Sequence, residues 1–396
     1  MSGQLGCASS YRVELVQVQV QDYQTGEALP APMQWGGEDL LGVTRVQWSR
    51  TVNDVSEAVI TVAGAADHGP CCDQVNKIKP KLHELRLWRD GVIVWEGPVS
   101  EDVETTQGGD YVVTARDVLS WFEPDEGRPN LYALDYASDD PVVIAEDMVR
   151  RNLTDAWAVP ADYPMVLDYL YTEPVGESIN YQPGLVIAYL IDLLDELTDY
   201  GLVFTAFGRS IFLVGGADTD TAVTAQLTQE HINAPVSITQ DGRELGNVGI
   251  GVRPDAEDSD LPPDVFMYGD ASSPYRPAYR LVEVDKEAND ATATRAAREA
   301  VRGRAVPPIV VTMGGNATLR PHAPIGINEI IPGWTRVDYM AAGRGAEGIC
   351  KRVRQPMIFS ELDVDWVPGM ETVQVAMTPV GPPTGVVPEG PGGSDE

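Results

Sequence analysis

The sequence predicts a mainly β protein with an α+β insert, in which two β-barrel-like domains flank a mixed middle domain. Three observations predict it. Apolar residues recur every second position through most of residues 11–117, the spacing of a half-buried strand. Asp90-Gly91 joins two such runs as a two-residue hairpin turn. Helical patterns fall in three short segments, about 139–151, 184–200 and the Ala/Arg-rich 290–304.

After an arm of small polar residues, 1–10, a first barrel-like domain is expected over 11–124. In its opening run Val13 and Leu15 alternate with charged residues, then Val16, Val18 and Val20 alternate with glutamines. The apolar set changes phase between Leu15 and Val16, and a β-bulge absorbs one such extra residue. Residues 22–37 read as turn-rich. Val43–Trp48 and Ala58–Val62 read as strands around the polar turn Thr51–Ser56. Leu85 and Leu87 lead into the Asp90-Gly91 turn, Val92–Trp95 return, and Tyr111–Ala115 form a further strand.

The middle domain is expected over 125–235. Asp139-Asp140-Pro141 sets a cap acceptor before a proline at the first helical position. The helix that follows has Val142, Ala145, Met148 and Val149 on one face. Residues 154–183 read as loop. A second, well-buried helix is expected from Gly184 to about Tyr200, stopped by Gly201. Leu202–Phe207 and Ile211–Val214 then pair around Gly208-Arg209.

A second barrel-like domain is expected over 236–380. Its strands are Val236–Thr239, Val248–Val252, Ile309–Met313, Glu329–Ile331, Thr335–Tyr339, Ile349–Val353, Phe359–Trp366 and Thr372–Met377, with an Ala/Arg-rich helix at Asp290–Arg304. Residues 48–62 and 238–252 echo each other as strand, turn, strand, with Ile60 and Val62 matching Ile250 and Val252. The acidic Pro/Gly tail, 381–396, is expected to be mobile.

Charge excludes several functions. There are 28 Lys+Arg against 60 Asp+Glu, a formal net charge of −32. Nucleic-acid phosphates and anionic membranes both require clustered cations, and the short groups at Lys77–Lys81 and Lys351–Arg354 are the main ones. Specific nucleic-acid binding and stable membrane insertion are therefore not expected. No run reaches the length of a membrane span, and Met1–Tyr11 does not read as a signal peptide, so the chain is expected to be made in the cytoplasm. Cys7, Cys71, Cys72 and Cys350 are not expected to form a disulfide framework there.

No catalytic, cofactor-binding or metal-binding residue is singled out, and an enzyme is not expected. His68, Cys71, Cys72, Asp73 and His83 form the one metal-like cluster, but vicinal cysteines rarely place both sulfurs on one tetrahedral ion. No GxSxG, HExxH or phosphate-loop pattern occurs. The acidic runs 218–220 and 255–260 lack the ligand ladder of an EF-hand. Trp88, Trp95, Trp121 and Phe122 fit strand packing, with a sugar platform as the other reading.

The stretch 85–129 carries an Arg89–Gly91 hairpin, a W-x-G-P-V strand at Trp95–Val99 and V-x-A-R-D-x-x-x-W at Val113–Trp121. In these it resembles the first domain of minor tail proteins, the tail-hub or baseplate-hub proteins, of long-tailed, non-contractile actinobacteriophages. Residues 48–62, the helix and hairpin of 184–214 and the helix at 290–304 with the strands after it also resemble that family, in order. The resemblance implies a hub: two barrels per chain, three chains per ring, a six-fold to three-fold adaptor at the tail tip through which DNA leaves. It implies a distal tail protein ring, the C-terminus of the tape measure protein and central tip or fibre proteins as partners. It also implies a virion location after assembly in the host cytoplasm. No further cleaving or receptor-binding domain is expected. Two other readings stand beside it: a carbohydrate-binding or carbohydrate-active β protein, and a hexameric distal tail protein.

Overall fold

The computed structural model describes residues 5, 10–21, 28–63, 74–104, 109–124, 129–130, 132–154, 169–215, 223–233, 235–240, 243, 245–253, 263–269, 276–284, 290–301, 309–313, 317–341, 353–380 and 384–385. Two compact units emerge. The first draws on residues 1–234, 315–339 and 357–378, and the second on 235–314, 340–356 and 379–396. The run 236–380, expected as one consecutive domain, is thus shared between them.

In the first unit, β1 (Tyr11–Gln21), β2 (Ala28–Asp39), β3 (Val43–Thr51), β4 (Glu57–Val62), β5 (His83–Arg89), β6 (Val92–Glu104) and β7 (Tyr111–Arg116) lie in the order β3-β4-β7-β6-β5-β1-β2. Asp90 and Gly91 both take positive φ (47° and 84°), as a type I′ turn requires. The bulge expected in β1 is not there: β1 pairs with β5 residue for residue, and the register shift against β2 between Leu15 and Gln17 places the extra residue on β2, while Leu15 and Val16 are both buried. Residues 28–39 are strand rather than turn. β2 ends the strand order, and an edge strand tolerates Pro30 and Pro32 because their missing N–H groups need serve no ladder.

The α+β portion holds β8 (Ala133–Asp139), α1 (Pro141–Thr154), β9 (Tyr169–Glu173), β10 (Ile179–Leu185), α2 (Leu190–Thr198), β11 (Leu202–Phe207) and β12 (Ser210–Gly215). Asp140 caps α1 by accepting from the Val142 N–H at 2.9 Å. Val142, Ala145, Met148 and Val149 join one core with Leu190, Leu193, Leu194, Leu197, Phe204 and Leu213. The second helix begins six residues later than expected. Gly184 has φ +73° and sits opposite Leu134 in the β8–β10 ladder, so residues 179–185 serve a sheet first. Gly201, at φ +93°, ends the helical segment as expected. β8, β9 and β10 all lie in sequence not read as strand.

A second curled sheet completes this unit. It uses β13 (Ala225–Thr228) and β14 (Ile232–Asn233). After the intervening β15 (Val236–Gln240), β16 (Val248–Arg253), β17 (Asp264–Gly269), β18 (Tyr279–Glu283), α3 (Asp290–Glu299) and β19 (Ile309–Met313), it adds β20 (Ala317–Leu319), β21 (Arg336–Ala341), β22 (Val353–Val367) and β23 (Met370–Pro379); β24 (Thr384–Gly385) pairs with Val353 and Arg354 at the start of β22, within the residues of the second unit. The order is β13-β21-β22-β23-β20-β14. Its two ends are strands joined by three residues, so the sheet must curl back on itself. Leu227, Leu319, Val337, Tyr339, Met357, Phe359 and Val373 are buried within this unit. Residues 329–331, expected as strand, lie at a 3-10 turn, Ile327–Glu329, with the Glu329 carboxylate accepting from the Gly326 N–H.

In the second unit, β17-β16-β18 form one sheet and β15-β19 another. α3 covers one face of the three-stranded sheet. Gly249 and Gly251 make that possible, since a Cβ at Gly249 would lie 1.7 Å from the Ala297 carbonyl oxygen. The echo between 48–62 and 238–252 does not hold in three dimensions. β3 pairs with β4, whereas β15 and β16 belong to different sheets.

Candidate functional site

The two curled sheets of the first unit meet where β22 pairs antiparallel with β3, from Glu361↔Thr51 to Trp366↔Val46. Side chains tie this joint together. Arg89 Nε and Nη2 each donate to the Glu371 carboxylate at 2.7 Å. The Tyr11 hydroxyl donates to Glu371 Oε1 at 2.9 Å and accepts from Trp48 Nε1–H at 3.2 Å. The Tyr11 ring lies 5.2 Å from that of Trp366. The Arg89 and Glu371 side chains are 3% and 0% exposed. Burial and then the Glu371 charge drive the Tyr11 phenol upward. Burial alone would lower Arg89, but its bonds and attraction to Glu371 outweigh that and hold it above its ordinary value.

Arg50, on β3, is buried without a carboxylate partner among its described contacts. Its Nη1 donates to the carbonyls of Ile327 and Ile330 at 3.1 and 2.9 Å, and Nη2 to that of Val94. Its guanidinium lies over Phe207 at 4.0 Å and Trp48 at 4.9 Å. Desolvation lowers it to about 9.

The α+β portion is held to the first sheet by a second buried cluster. Arg209, at the β11–β12 turn, donates to Glu84 and, at 3.2 Å, to Glu96, which also accepts from Arg86 Nε at 2.7 Å. Burial raises the Glu84 carboxyl while the Arg209 charge opposes it. Farther along β11, Asn53 and Phe204 exchange two bonds: Asn53 N–H donates to Phe204 O at 2.8 Å, and Phe204 N–H to Asn53 Oδ1 at 2.9 Å.

Across the outer face of the β3–β22 joint runs a shallow groove of about 410 Å³, lined by Gln47, Ser49, Glu57, Asp363, Asp365 and Gln374 among others. Desolvation, then the Glu361 charge and hydrogen bond, push Asp363 up to about 6. Arg45 clamps Asp365 with bonds of 2.9 and 2.6 Å. With Trp48, Val59 and Val364 also in its lining, this is an open surface of mixed character rather than a closed pocket.

The residues weighed from sequence fall elsewhere. His83 accepts the Lys79 N–H at Nδ1, 3.0 Å away, closing a turn. His68, Cys71, Cys72, Asp73, Cys7, Cys350, the arm residues 1–4 and 6–9 and most of the tail lie outside the described residues. Among the described residues no three potential metal ligands converge, and no helix is long and apolar enough to cross a membrane. Trp95, Trp121 and Phe122 are buried. Trp88 donates to Glu14 at 2.7 Å under the Arg12 guanidinium. These aromatics are packing residues. The buried clusters at Arg89–Glu371 and Arg209–Glu84 were not read from sequence, because each pairs residues more than a hundred positions apart.

Solved structures share this fold along nearly the whole chain. The tail protein from Neisseria meningitidis MC58 matches with a TM-score of 0.51 at 15% identity, over 93% of this chain and 96% of its own. The prophage MuSo2 43 kDa tail protein from Shewanella oneidensis matches at 0.50 and 12% identity, over 93% and 98%. The Francisella PdpA-VgrG complex matches at 0.50 and 9% identity, over 94% of this chain and 53% of that one. No family model and no curated protein matches the sequence. The chain therefore has the mainly β fold of solved tail proteins, at identities that carry the fold alone.

Proposed function

We propose that this chain is a structural virion protein of a phage tail, and that three copies form the hub ring at the tail tip. One observation carries the reading: two curled β sheets stand edge to edge in a single unit, joined through β3 and β22 and locked by Arg89–Glu371. Two such modules per chain give three copies six modules, which is what matches a six-fold tube to a three-fold tip. Fold likeness to tail proteins over 93% of the chain supports the tail setting. The cyclic interface is heterologous and closes after three steps.

The expected neighbours are a distal tail protein ring, the C-terminus of the tape measure protein and central tip or fibre proteins. Three chains, each at −32, give the ring a strongly acidic character. Carboxylates facing the channel would keep DNA from adhering during ejection. Gold-labelled antibody against the purified chain should mark the tip of negatively stained virions. Label along the tube or on the head sinks the assignment.

A further inference from the structure

The three-stranded sheet of the second unit has two unlike faces. Gly249 and Gly251 look toward α3, and residues directly opposite them in register, Tyr268 and Phe266 on β17 and Arg280 and Val282 on β18, share that face. The opposite face carries Val248, Ile250 and Val252 on β16, flanked by Val265, Met267, Tyr279 and Leu281. These four flanking side chains are 56%, 62%, 61% and 67% exposed. A sheet normally covers its apolar face, and grouped apolar side chains left in water on so acidic a chain mark an interaction surface.

Charge says what fits it. At the Val252 end, Glu283 lies on this face, exposed. Arg253, with Asp264 and Asp290 at 2.6 and 2.9 Å, lies on the α3 side and takes no part in this face. At the Val248 end the exposed charges among the described residues are Arg243 and Arg276. A second copy laid in the same direction sets acid against acid, and one turned end for end would pair Glu283 with those arginines across a face too small to hold it alone. The face also spans only about 14 Å by 17 Å, from strand spacings of about 4.8 Å and rises of about 3.3 Å, well below the roughly 800 Å² per partner of a stable dimer.

We infer that the outer face of β17-β16-β18 is a docking site for an apolar segment of another protein that carries Lys or Arg at one end, seated so that the cations meet Glu283. The inference stands apart from the proposed place in the tail, and neither fails with the other.

The test uses the full chain and a synthetic 12-residue Leu/Ala peptide with two lysines at one end, compared with a counterpart bearing two glutamates. Fluorescence anisotropy should show the lysine peptide binding at least tenfold more tightly. Met267→Asp and Leu281→Asp should each weaken it at least tenfold, although both add negative charge that would strengthen purely electrostatic binding. Val265→Thr, a milder change, should weaken it severalfold, with circular dichroism of all variants unchanged. Equal binding by the Asp variants, equal binding of the two peptides, or binding of neither overturns the inference. Self-association of the wild type that the Asp variants abolish assigns the face to a second copy and overturns it too.

Discussion

Glu371→Gln tests the joint between the two curled sheets. The substitution keeps the side chain's volume and removes its charge. Glu371 accepts two bonds from Arg89 at 2.7 Å and one from Tyr11 at 2.9 Å, and both ionic side chains are almost wholly buried. Breaking such a pair by removing one partner costs about 3–5 kcal/mol, most of it the uncompensated charge left behind. Gln retains one oxygen for Tyr11 or Arg89, which sets the expectation near the lower end, about 3 kcal/mol. With a urea slope of about 3 kcal/mol/M, the unfolding midpoint should fall by about 1 M. Trp48 and Trp366 sit at the joint, so tryptophan fluorescence reads it locally. The double variant Arg89→Met/Glu371→Leu should recover most of the loss, because an apolar pair of similar volume replaces the ions without leaving a buried charge. A fall under about 1 kcal/mol, or a double variant as unstable as the sum of its singles, refutes the lock.

Other expectations follow from named contacts. Arg209→Met strands the buried carboxylate of Glu84 and leaves Glu96 to Arg86 alone, and should cost about 3 kcal/mol. Limited proteolysis should then cut sooner within 133–215. Asp363→Asn should stabilise the chain at pH 8. The folded pKa of about 6 lies above the ordinary aspartate value, so the wild type is penalised as pH rises through about 4 to 6. The gain should be about 1 kcal/mol after allowing for solvent screening at this half-exposed site, and should vanish below about pH 4. A gain that persists at pH 3 contradicts this. Gly249→Val drives a side chain into the Ala297 carbonyl and should melt α3 against its sheet, seen as loss of hydrogen-exchange protection within 248–299 and not within 83–116.

Local chemistry was legible where one short segment decides the outcome. The Asp90-Gly91 turn and the Asp140 cap each follow from neighbouring residues, and each is present, whereas the phase change at Leu15–Val16 is not a bulge in β1, because both residues are buried. The mainly β class followed from period two. What sequence did not disclose are pairings set by distant partners. Residues 28–39 carry prolines that look like turn signals, and only their place at a sheet edge lets them be strand. β8, β9 and β10 are short and polar, and their ladders depend on one another and on β12. β22 did carry a signal. Its buried residues switch from Met357 and Phe359 to Leu362, Val364 and Trp366, the phase change of a strand that serves first one curled sheet and then the joint with β3. The Arg89–Glu371 lock needs the fold before its partners can be named.

Mass decides the central claim. Light scattering on the purified chain across a concentration series, repeated with a distal tail protein present, should give a trimer alone or on addition of that partner. A strict monomer under both conditions, or a hexamer, contradicts the hub.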